Sequence, residues 1–420
     1  MNTTTADALH AEPAPAPADD RHHVLDGLRG FALLGIFAAN IRMFAGWEFA
    51  GDDLREALAG DYWRAYEFAN VFLVDGKFYT LFALLFGIGF SLQLARLDER
   101  GADGVALYVR RLLILLVIGV IHLTQFWPGD ILTPYALLGF VLLAVRPLSD
   151  RRLLIAAAAA FAAPPVGYLA AWGAGVMMDL DLYERAGSVM AAGVPNFEGD
   201  LLGALQRPDW TSFFGFAHGA AVVRVGYLLE SWRLPKLLFV MLIGLWAGRR
   251  IVAGGLLNDD RFLRRVALIG FAVGLPASIL YAYLGPVFAF AGPPNLTGLV
   301  RMIAYMASVF PLGFAYGAAF VLLWRRGPGV LAILAAPGRM ALTNYLLQTA
   351  AGVAIFYGVG AGYAGKTPPA AFLAIAVAIY AAQIAGSHAW LSAFKYGPME
   401  WLWRSATYGR LLPARRRAAA

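Results

Sequence analysis

The sequence contains no cysteine among its 420 residues, which excludes disulfides, a thiolate nucleophile and a metal centre with cysteine ligands. Charged residues are also scarce, because Asp, Glu, Lys and Arg make up 15% of the chain, whereas a soluble protein carries about a quarter. Hydrophobic residues make up 60% of the chain instead. Several apolar runs reach roughly 18 residues, the length that crosses a bilayer. The composition therefore predicts an all-α, polytopic membrane protein.

Ten apolar runs predict about ten transmembrane helices, with boundaries uncertain by a few residues. The runs lie near residues 25–44, 71–95, 108–126, 130–146, 153–177, 236–252, 265–286, 299–324, 340–359 and 369–393. They divide the chain into an N-terminal half with five spans (21–177) and a C-terminal half with five spans and an amphipathic end (236–410). Residues 1–20 are predicted to be a disordered tail without a signal peptide, and residues 411–420 a short basic tail.

The connection between the two halves, residues 178–235, is long and rich in aromatic residues. A structureless loop of this length is unusual, and its aromatic residues predict interfacial helices on the outer side of the membrane. Such helices could cover a pocket that faces outward.

The net charge of +7 does not indicate nucleic-acid binding, because the excess arginines lie in short loops between the apolar runs. Positive charge in short loops marks the cytoplasmic side of membrane helices. The distribution predicts that both termini are cytoplasmic.

A histidine and an aspartate flank a predicted helical hairpin at Trp127-Pro128-Gly129. Titratable side chains at membrane depth often mark functional sites. His122 is the candidate general base, because its ordinary pKa is near neutrality, and Asp130 is the candidate residue that orients the imidazole. The structural alternatives are that Asp130 caps the following helix and that His122 is a hydrogen-bonded core residue.

Four polar residues of the first two spans are candidate substrate-binding residues. Asp26 and Arg29 are spaced to pair on one helix, either as an interfacial ion pair or as a site where Arg29 meets an anionic group such as a phosphate. Asn40 could bind substrate or form a hydrogen bond between helices. Lys77 either extends to the outer interface or faces inward, beside the His122 corner, and binds the acceptor.

Further candidates for substrate binding follow the hairpin and open the ninth span. Arg339, Thr343, Asn344 and Gln348 place a basic end and a polar stripe on one predicted helix, and Tyr135 follows Asp130. Polar stripes in membrane helices face protein or water, so these residues form a groove reached from the cytoplasm or hold helices together.

Neither a metal site nor a serine nucleophile has a signature in the sequence. The six histidines include no pair spaced for metal binding on one helical face, and no serine stands in a Gly-x-Ser-x-Gly motif.

Five motifs together resemble the YeiB-like family of bacterial inner-membrane proteins, also called domain of unknown function 418. In chain order they are DGLRGFALLGI, DGKFYTLFALLFGIGF, IHLTQFWPGDIL, GRMALTNYLLQ and KYGPMEWLWR. The resemblance extends from about residue 22 to about residue 410 and leaves out the tail and the long connection. This family is distantly similar to transmembrane acyltransferases.

The resemblance implies acyl transfer from cytoplasmic acyl-CoA, with acetyl-CoA the expected donor, to an envelope glycan or small polar acceptor on the outer side. In that case Arg29 and Arg339 lie near the CoA phosphates and His122 deprotonates the acceptor. Many related acyltransferases have a histidine where this chain has Asn40, so His122 must replace it from another helix.

Two other functional classes stay open. One is a proton-coupled transporter or flippase that uses His122, Asp130 and Lys77 as a relay, and the other is a structural membrane protein. The expected partners are membrane lipid, the acyl donor and the acceptor, with no metal and no nucleic acid; a homo-oligomer stays open.

Overall fold

The computed structural model describes residues 23–98, 104–176, 181–285 and 293–416. The described chain is helical. Its α-helices are α1 (His23–Phe44), α2 (Asp52–Ala59), α3 (Tyr62–Leu73), α4 (Lys77–Asp98), α5 (Gly104–Gln125), α6 (Leu132–Val145), α7 (Asp150–Ala174), α8 (Leu182–Gly193), α9 (Leu201–Gln206), α10 (Trp210–Glu230), α11 (Arg233–Val252), α12 (Asp260–Leu284), α13 (Leu296–Arg325), α14 (Ala335–Arg339), α15 (Ala341–Phe356), α16 (Pro369–Ala393) and α17 (Pro398–Tyr408). The prediction of an all-α, polytopic membrane protein is confirmed.

Each of the ten predicted spans coincides with a helix, but not every one of these helices has the length or apolarity of a full span. In the described part of the chain, eight helices are long and apolar enough to cross a membrane, and the pair formed by residues 329–339 and α15, bent by 81°, makes a ninth. Helix α6 has 14 residues and so a length of about 21 Å, shorter than a hydrocarbon layer of about 30 Å. Helix α11 has basic residues near both ends.

Two helices form the centre of the bundle and four lie at its periphery. The most apolar stretches of α1 and α13 are 61% buried, whereas those of α5, α7, α12 and α16 are 28% buried. Because lipid is as apolar as a protein core, the exposed apolar faces of the four outer helices are the faces that lipid covers.

The bundle has two distinct ends. We call the end at the α5–α6 turn, residues 127–129, the hairpin end. There Trp127 is buried and its ring stacks on Phe44 at the end of α1, with 4.5 Å between centroids. We call the opposite end the basic end, since arginines are concentrated there, among them Arg29, Arg96, Arg111, Arg339 and Arg404.

Helix α10 falls within the predicted loop 178–235, and its 21 residues are long and apolar enough for a span. Its contacts instead join it to the hairpin end. The ring of Phe216 lies 6.0 Å from Phe49, Gln125 Nε2 lies 3.4 Å from His218 Nε2, and Arg224 donates to the Asp130 carbonyl over 2.9 Å. The helix therefore lies across this end, as expected for interfacial helices; its outer position stays a prediction.

Close packing at the basic end fixes the relation of α1 to α14. A Cβ added to Gly338 would lie 1.8 Å from the Asp26 carbonyl oxygen, so no larger residue fits there without a shift. Tyr380 of α16 adds a hydrogen bond of 2.6 Å to the Gly30 carbonyl. These contacts bring Arg339, the last residue of α14, close to the first turns of α1.

Candidate functional site

A cavity of about 320 Å³ begins among the arginines of the basic end and extends toward the hairpin end. Its charged lining residues are Asp26, Arg29, Arg96, Arg111, Arg339, Glu400 and Arg404. The five arginines outnumber the two carboxylates, so the cavity entrance has an excess of positive charge. A guanidinium group binds phosphate and carboxylate oxygens through paired N–H donors.

Three of these arginines are held in place by neighbours that leave the cavity open. Arg29 pairs with Asp26 over 2.6 Å, which confirms the predicted i,i+3 pair. The Arg111 guanidinium lies 3.5 Å from the centroid of the Trp403 ring. Arg339 donates to the Lys395 carbonyl, between α16 and α17, over 3.4 Å. The entrance thus has cations that are positioned before any ligand arrives.

The deeper part of the cavity is apolar and ends at two tyrosines. Its walls are Phe82, Leu85, Phe86, Leu112, Leu115, Ile131 and Leu132, and its far end is Tyr135 and Tyr345. Tyr345 donates to the Gly129 carbonyl in the α5–α6 turn over 3.2 Å. A ligand with an anionic head and an apolar or uncharged tail matches this arrangement.

His122 lies directly behind Tyr345, in a row of three hydrogen-bonding side chains. Its Nδ1 is 3.0 Å from Asp130 Oδ1 and its Nε2 is 2.9 Å from Thr349 Oγ1. The three residues are 2%, 1% and 3% exposed, respectively. The Tyr345 ring lies between this row and the cavity, with its centroid 5.1 Å from that of the imidazole. With the ring hydrogen assigned to Nδ1, Nε2 is the basic atom, and it faces a hydroxyl.

Asp130 contacts both the imidazole and the first turn of α6, the two arrangements that the sequence left open. Its Oδ1 accepts from the Leu132 amide over 3.1 Å and its Oδ2 from the Thr133 amide over 2.7 Å, which caps the first turn of α6. Oδ1 also contacts His122. Because backbone amides hold the carboxylate, the imidazole contacts an acceptor with a fixed position.

The predicted site residues fall into two groups. The structure brings Asp26, Arg29, Tyr135 and Arg339 to one cavity, while His122 and Asp130 lie behind its deep end. Thr343, Asn344 and Gln348 do not line the cavity, and neither do Lys77 and Asn40.

The polar stripe of α15 makes contacts between helices. Asn344 donates to Ser387 Oγ of α16 over 3.0 Å, and Gln348 donates to Gln383 Oε1 over 3.0 Å. Thr343 donates to Glu400 of α17, with an O–O distance of 2.5 Å. These three side chains connect α15 to its neighbours in the way expected of interhelical packing residues.

Glu400 caps α15 from a distant part of the chain. Its Oε1 accepts from the amides of Leu342 and Thr343 over 2.7 and 3.1 Å. Burial raises the pKa of the Glu400 carboxyl, although the hydrogen bonds from Thr343 oppose that shift. This contact places α17, which has Trp403 and Arg404, beside the cavity.

Lys77 is completely buried, which is inconsistent with the alternative that it extends to the interface. Its ammonium donates to the Val71 carbonyl in the last turn of α3, so it provides a hydrogen-bond donor for a carbonyl at that helix terminus. Asn40 is half-buried in the last turns of α1.

Several residues of the site were not singled out in the sequence. Arg96, Arg111 and Arg404 have the same appearance as arginines that orient membrane helices, so only the fold shows that they share a cavity. Thr349 carried one weak signal, since it lies one turn after Tyr345 on the polar side of α15. Among the described residues, no three His, Asp or Glu side chains come together as metal ligands would.

Comparison with known proteins gives a consistent family. Residues 247–410 match the family model described as protein of unknown function (DUF418). The chain is 31% identical to uncharacterized protein YxaH of Bacillus subtilis (strain 168), over 94% of this chain and 96% of the relative. It is also 31% identical to uncharacterized protein YeiB of Escherichia coli (strain K12), over 94% of this chain and 98% of the relative. A third similar protein, from Bacillus acidopullulyticus, is 29% identical over 95% of this chain and 97% of its own length, and is named an uncharacterized 39.9 kDa protein in amylase 3'region.

Proposed function

We propose that this chain, which belongs to the DUF418 (YeiB-like) family of multi-pass membrane proteins, transfers an acyl group from acyl-CoA to an envelope glycan or a small polar acceptor. The observation that carries the proposal is the cavity that leads from five arginines to Tyr345, next to the His122–Asp130 pair. Acetyl-CoA is the simplest donor of this class.

The arginines of the entrance would bind the phosphates of the donor. CoA carries a diphosphate and a further phosphate at one end and a thioester at the other, so its charge distribution matches an entrance of cations and a deeper apolar passage. Arg29 of α1 and Arg339 of α14 lie on neighbouring, closely packed helices, and each can make paired hydrogen bonds to phosphate oxygens. The thioester then lies toward Tyr135 and Tyr345.

His122 acts as the general base in this proposal. The acceptor hydroxyl or amine attacks the thioester carbonyl, its proton passes to Nε2 of the imidazole, the C–S bond breaks, and the CoA thiolate leaves with a proton returned by the imidazole. Asp130 holds the ring and stabilises its charged form. Because Tyr345 separates the cavity from His122, its side chain must turn aside before the acceptor reaches Nε2.

The membrane is the bacterial inner membrane in this proposal, with the basic end and both termini in the cytoplasm. The concentration of arginines at one end of the bundle supports this orientation. Acyl-CoA then enters from the cytoplasm, and the acceptor approaches from the hairpin end.

A second candidate function is a proton-coupled transporter or flippase. The enclosed row of His122, Asp130 and Thr349 favours it, because buried titratable side chains in membrane proteins often carry protons. An anionic lipid also shares the charge pattern of the cavity. The non-enzymatic alternative is supported by the packing role of Thr343, Asn344 and Gln348.

Release of CoA from acetyl-CoA by the purified protein in lipid nanodiscs tests the proposal. Since the chain has no cysteine, a thiol reagent detects the free CoA without a signal from the protein. We expect release that depends on an added envelope extract, and a loss of about 10²- to 10⁴-fold in His122→Asn. The matched control is His388→Asn, because His388 is exposed and contacts the Ile333 carbonyl.

A wild-type rate in His122→Asn would disprove the role of the base. Uptake of a solute driven by a pH gradient, without CoA release, would support the transporter instead.

A further inference from the structure

Three cations, of which Lys236 is buried and Arg224 and Arg233 are half-buried, form a cluster at the hairpin end, under α10. Arg224 of α10 donates to the Asp130 carbonyl over 2.9 Å. The Arg233 guanidinium of α11 lies 4.1 Å from the centroid of the Tyr79 ring, and Lys236 lies one turn further along α11, 4.8 Å from the centroid of Tyr305. We call Arg224, Arg233 and Lys236 the cationic cluster.

Within the described residues, the cationic cluster has no carboxylate at ion-pair distance. None of the ion pairs within 4.0 Å among the described residues includes any of its three members. Asp75 acts on Arg233 only from a greater distance. The Nε atoms of Arg224 and Arg233 are buried and have no acceptor in the described part of the structure. The cluster therefore presents donors that a bound anion could satisfy.

Partial removal of these cations from water is unfavourable unless a partner of opposite charge compensates, and it is most unfavourable for Lys236, the one buried member. Arg233 and Lys236 are partly compensated by aromatic faces and by hydrogen bonds to the Tyr305 hydroxyl and the Ser231 carbonyl. These neutral partners leave the positive charge in place, so the cluster attracts anions.

The position of the cluster relates it to the proposed site. Arg224 contacts the backbone of Asp130, the residue that holds His122. Tyr135, at the deep end of the cavity, donates to the Tyr79 carbonyl over 3.3 Å, and the Arg233 guanidinium lies over the Tyr79 ring. The cluster thus lies beyond the end of the donor cavity, on the side from which an acceptor would approach.

We infer that the cationic cluster binds an anionic group of the acceptor, a carboxylate or a phosphate ester, and so selects acidic acceptors over neutral ones. The assignment of the anion to an acceptor rests on the proposed function, whereas the anion site itself is independent of it. With an anionic group held by Arg224 and Arg233, a neighbouring hydroxyl or amine of the same molecule lies toward Tyr345 and His122.

Calorimetric titration of the full-length protein in nanodiscs, without acyl-CoA, tests the anion site. The probes are glycerol 3-phosphate against glycerol, and glucuronate against glucose, so that the two pairs distinguish a phosphate from a carboxylate. We expect at least one charged probe to bind about tenfold or more tightly than its neutral counterpart, and Arg233→Gln to abolish that preference. Arg233→Lys retains the charge and should restore part of the binding.

The control for the loss of charge is Arg185→Gln, because Arg185 is an exposed residue of α8 at the same end. Thermal unfolding identifies a variant that does not fold, and Arg224→Gln then replaces Arg233→Gln. Equal binding of charged and neutral probes, or unchanged binding in a folded Arg233→Gln protein, would overturn the inference. Anion binding without any CoA release would contradict only the proposed acyl transfer, whereas CoA release with no preference for acidic acceptors would contradict only the selectivity inferred here.

Discussion

Two arginines of α1, thirteen positions apart and near opposite ends of the bundle, are held in different ways. Arg42, at the hairpin end, has a side chain that is 7% exposed and pairs with Glu48 over 2.7 Å and with Glu67 over 2.9 Å. Arg29, at the basic end, has a side chain that is 29% exposed, pairs with Asp26 alone and lines the cavity. Arg42 is enclosed by its partners, and Arg29 keeps one side available to a ligand.

The difference separates structural charge from charge that is available for binding. Trp47 donates to Glu67 over 2.6 Å, so the Arg42 group is surrounded and hydrogen-bonded on several sides. Burial with full pairing favours one geometry and leaves little room for a ligand. Arg29 is less enclosed, and the cationic cluster under α10 makes no ion pair within 4.0 Å in the described part of the structure.

The largest effect should come from breaking the enclosed pair. Arg42→Gln leaves the half-buried carboxylates of Glu48 and Glu67 without their cation and should cost about 3 kcal/mol, the lower end of the range for a broken buried pair. Arg29→Gln, whose pair is partly exposed, should cost less than about 1 kcal/mol. Thermal unfolding followed by the fluorescence of the 11 tryptophans measures both. Equal losses in Tm in the two variants would remove the distinction between Arg42 and Arg29.

A smaller and more specific effect is expected from Arg339, which lines the same cavity as Arg29 from the neighbouring helix α14. Arg339→Gln should raise the KM for acetyl-CoA about 10- to 100-fold with little change in kcat, because it removes a contact to the donor and not to the reacting atoms. Arg264→Gln is the control, since Arg264 lies at the basic end but is 61% exposed and outside the cavity. A drop in kcat alone would show that Arg339 does not bind the donor.

Packing at the basic end can be tested with two glycines. Gly338→Ala places a Cβ 1.8 Å from the Asp26 carbonyl, so α1 and α14 must separate, at a cost of about 1–3 kcal/mol. Gly386→Ala in α16 meets no atom within 4 Å and should gain up to about 1 kcal/mol from helix propensity. If both variants unfold at the wild-type temperature, α14 does not depend on this close contact.

The smallest effect is the pH dependence of the cap on α15. Because burial raises the pKa of Glu400, the fold favours its protonated form. Its contribution to stability is complete below the ordinary pKa of about 4.3 and is lost as the pH rises through the raised value. Glu400→Gln stays neutral, so the Tm of the wild type minus that of the variant should fall from about pH 4 to about pH 8. A constant difference would contradict the shift.

The helices could be predicted from the sequence because a long apolar run in a membrane must satisfy its backbone internally. The hairpin was equally clear, since Trp127-Pro128-Gly129 leaves no room for anything but a turn. Helix α10 was harder to predict, because His218, Arg224 and Glu230 interrupt its apolar residues. Its position across the hairpin end depends on contacts with Phe49, Gln125 and Asp130, which are all distant in sequence.

The candidate site could be predicted only in part. His122 and Asp130 are close in sequence, and the hairpin brings them together. Thr349 contacts the same imidazole from 227 positions away, which no local pattern reveals. The polar residues Thr343 and Asn344 also resembled binding residues, although their partners on α16 and α17 show a packing role.

The most direct measurement is a structure determined with a non-hydrolysable acetyl-CoA analogue at saturating concentration. We expect density for the phosphates beside Arg29 and Arg339, with the acyl end between Tyr135 and Tyr345. A lipid chain in the cavity, or a cavity without the analogue, would contradict the proposal that this passage is the donor site.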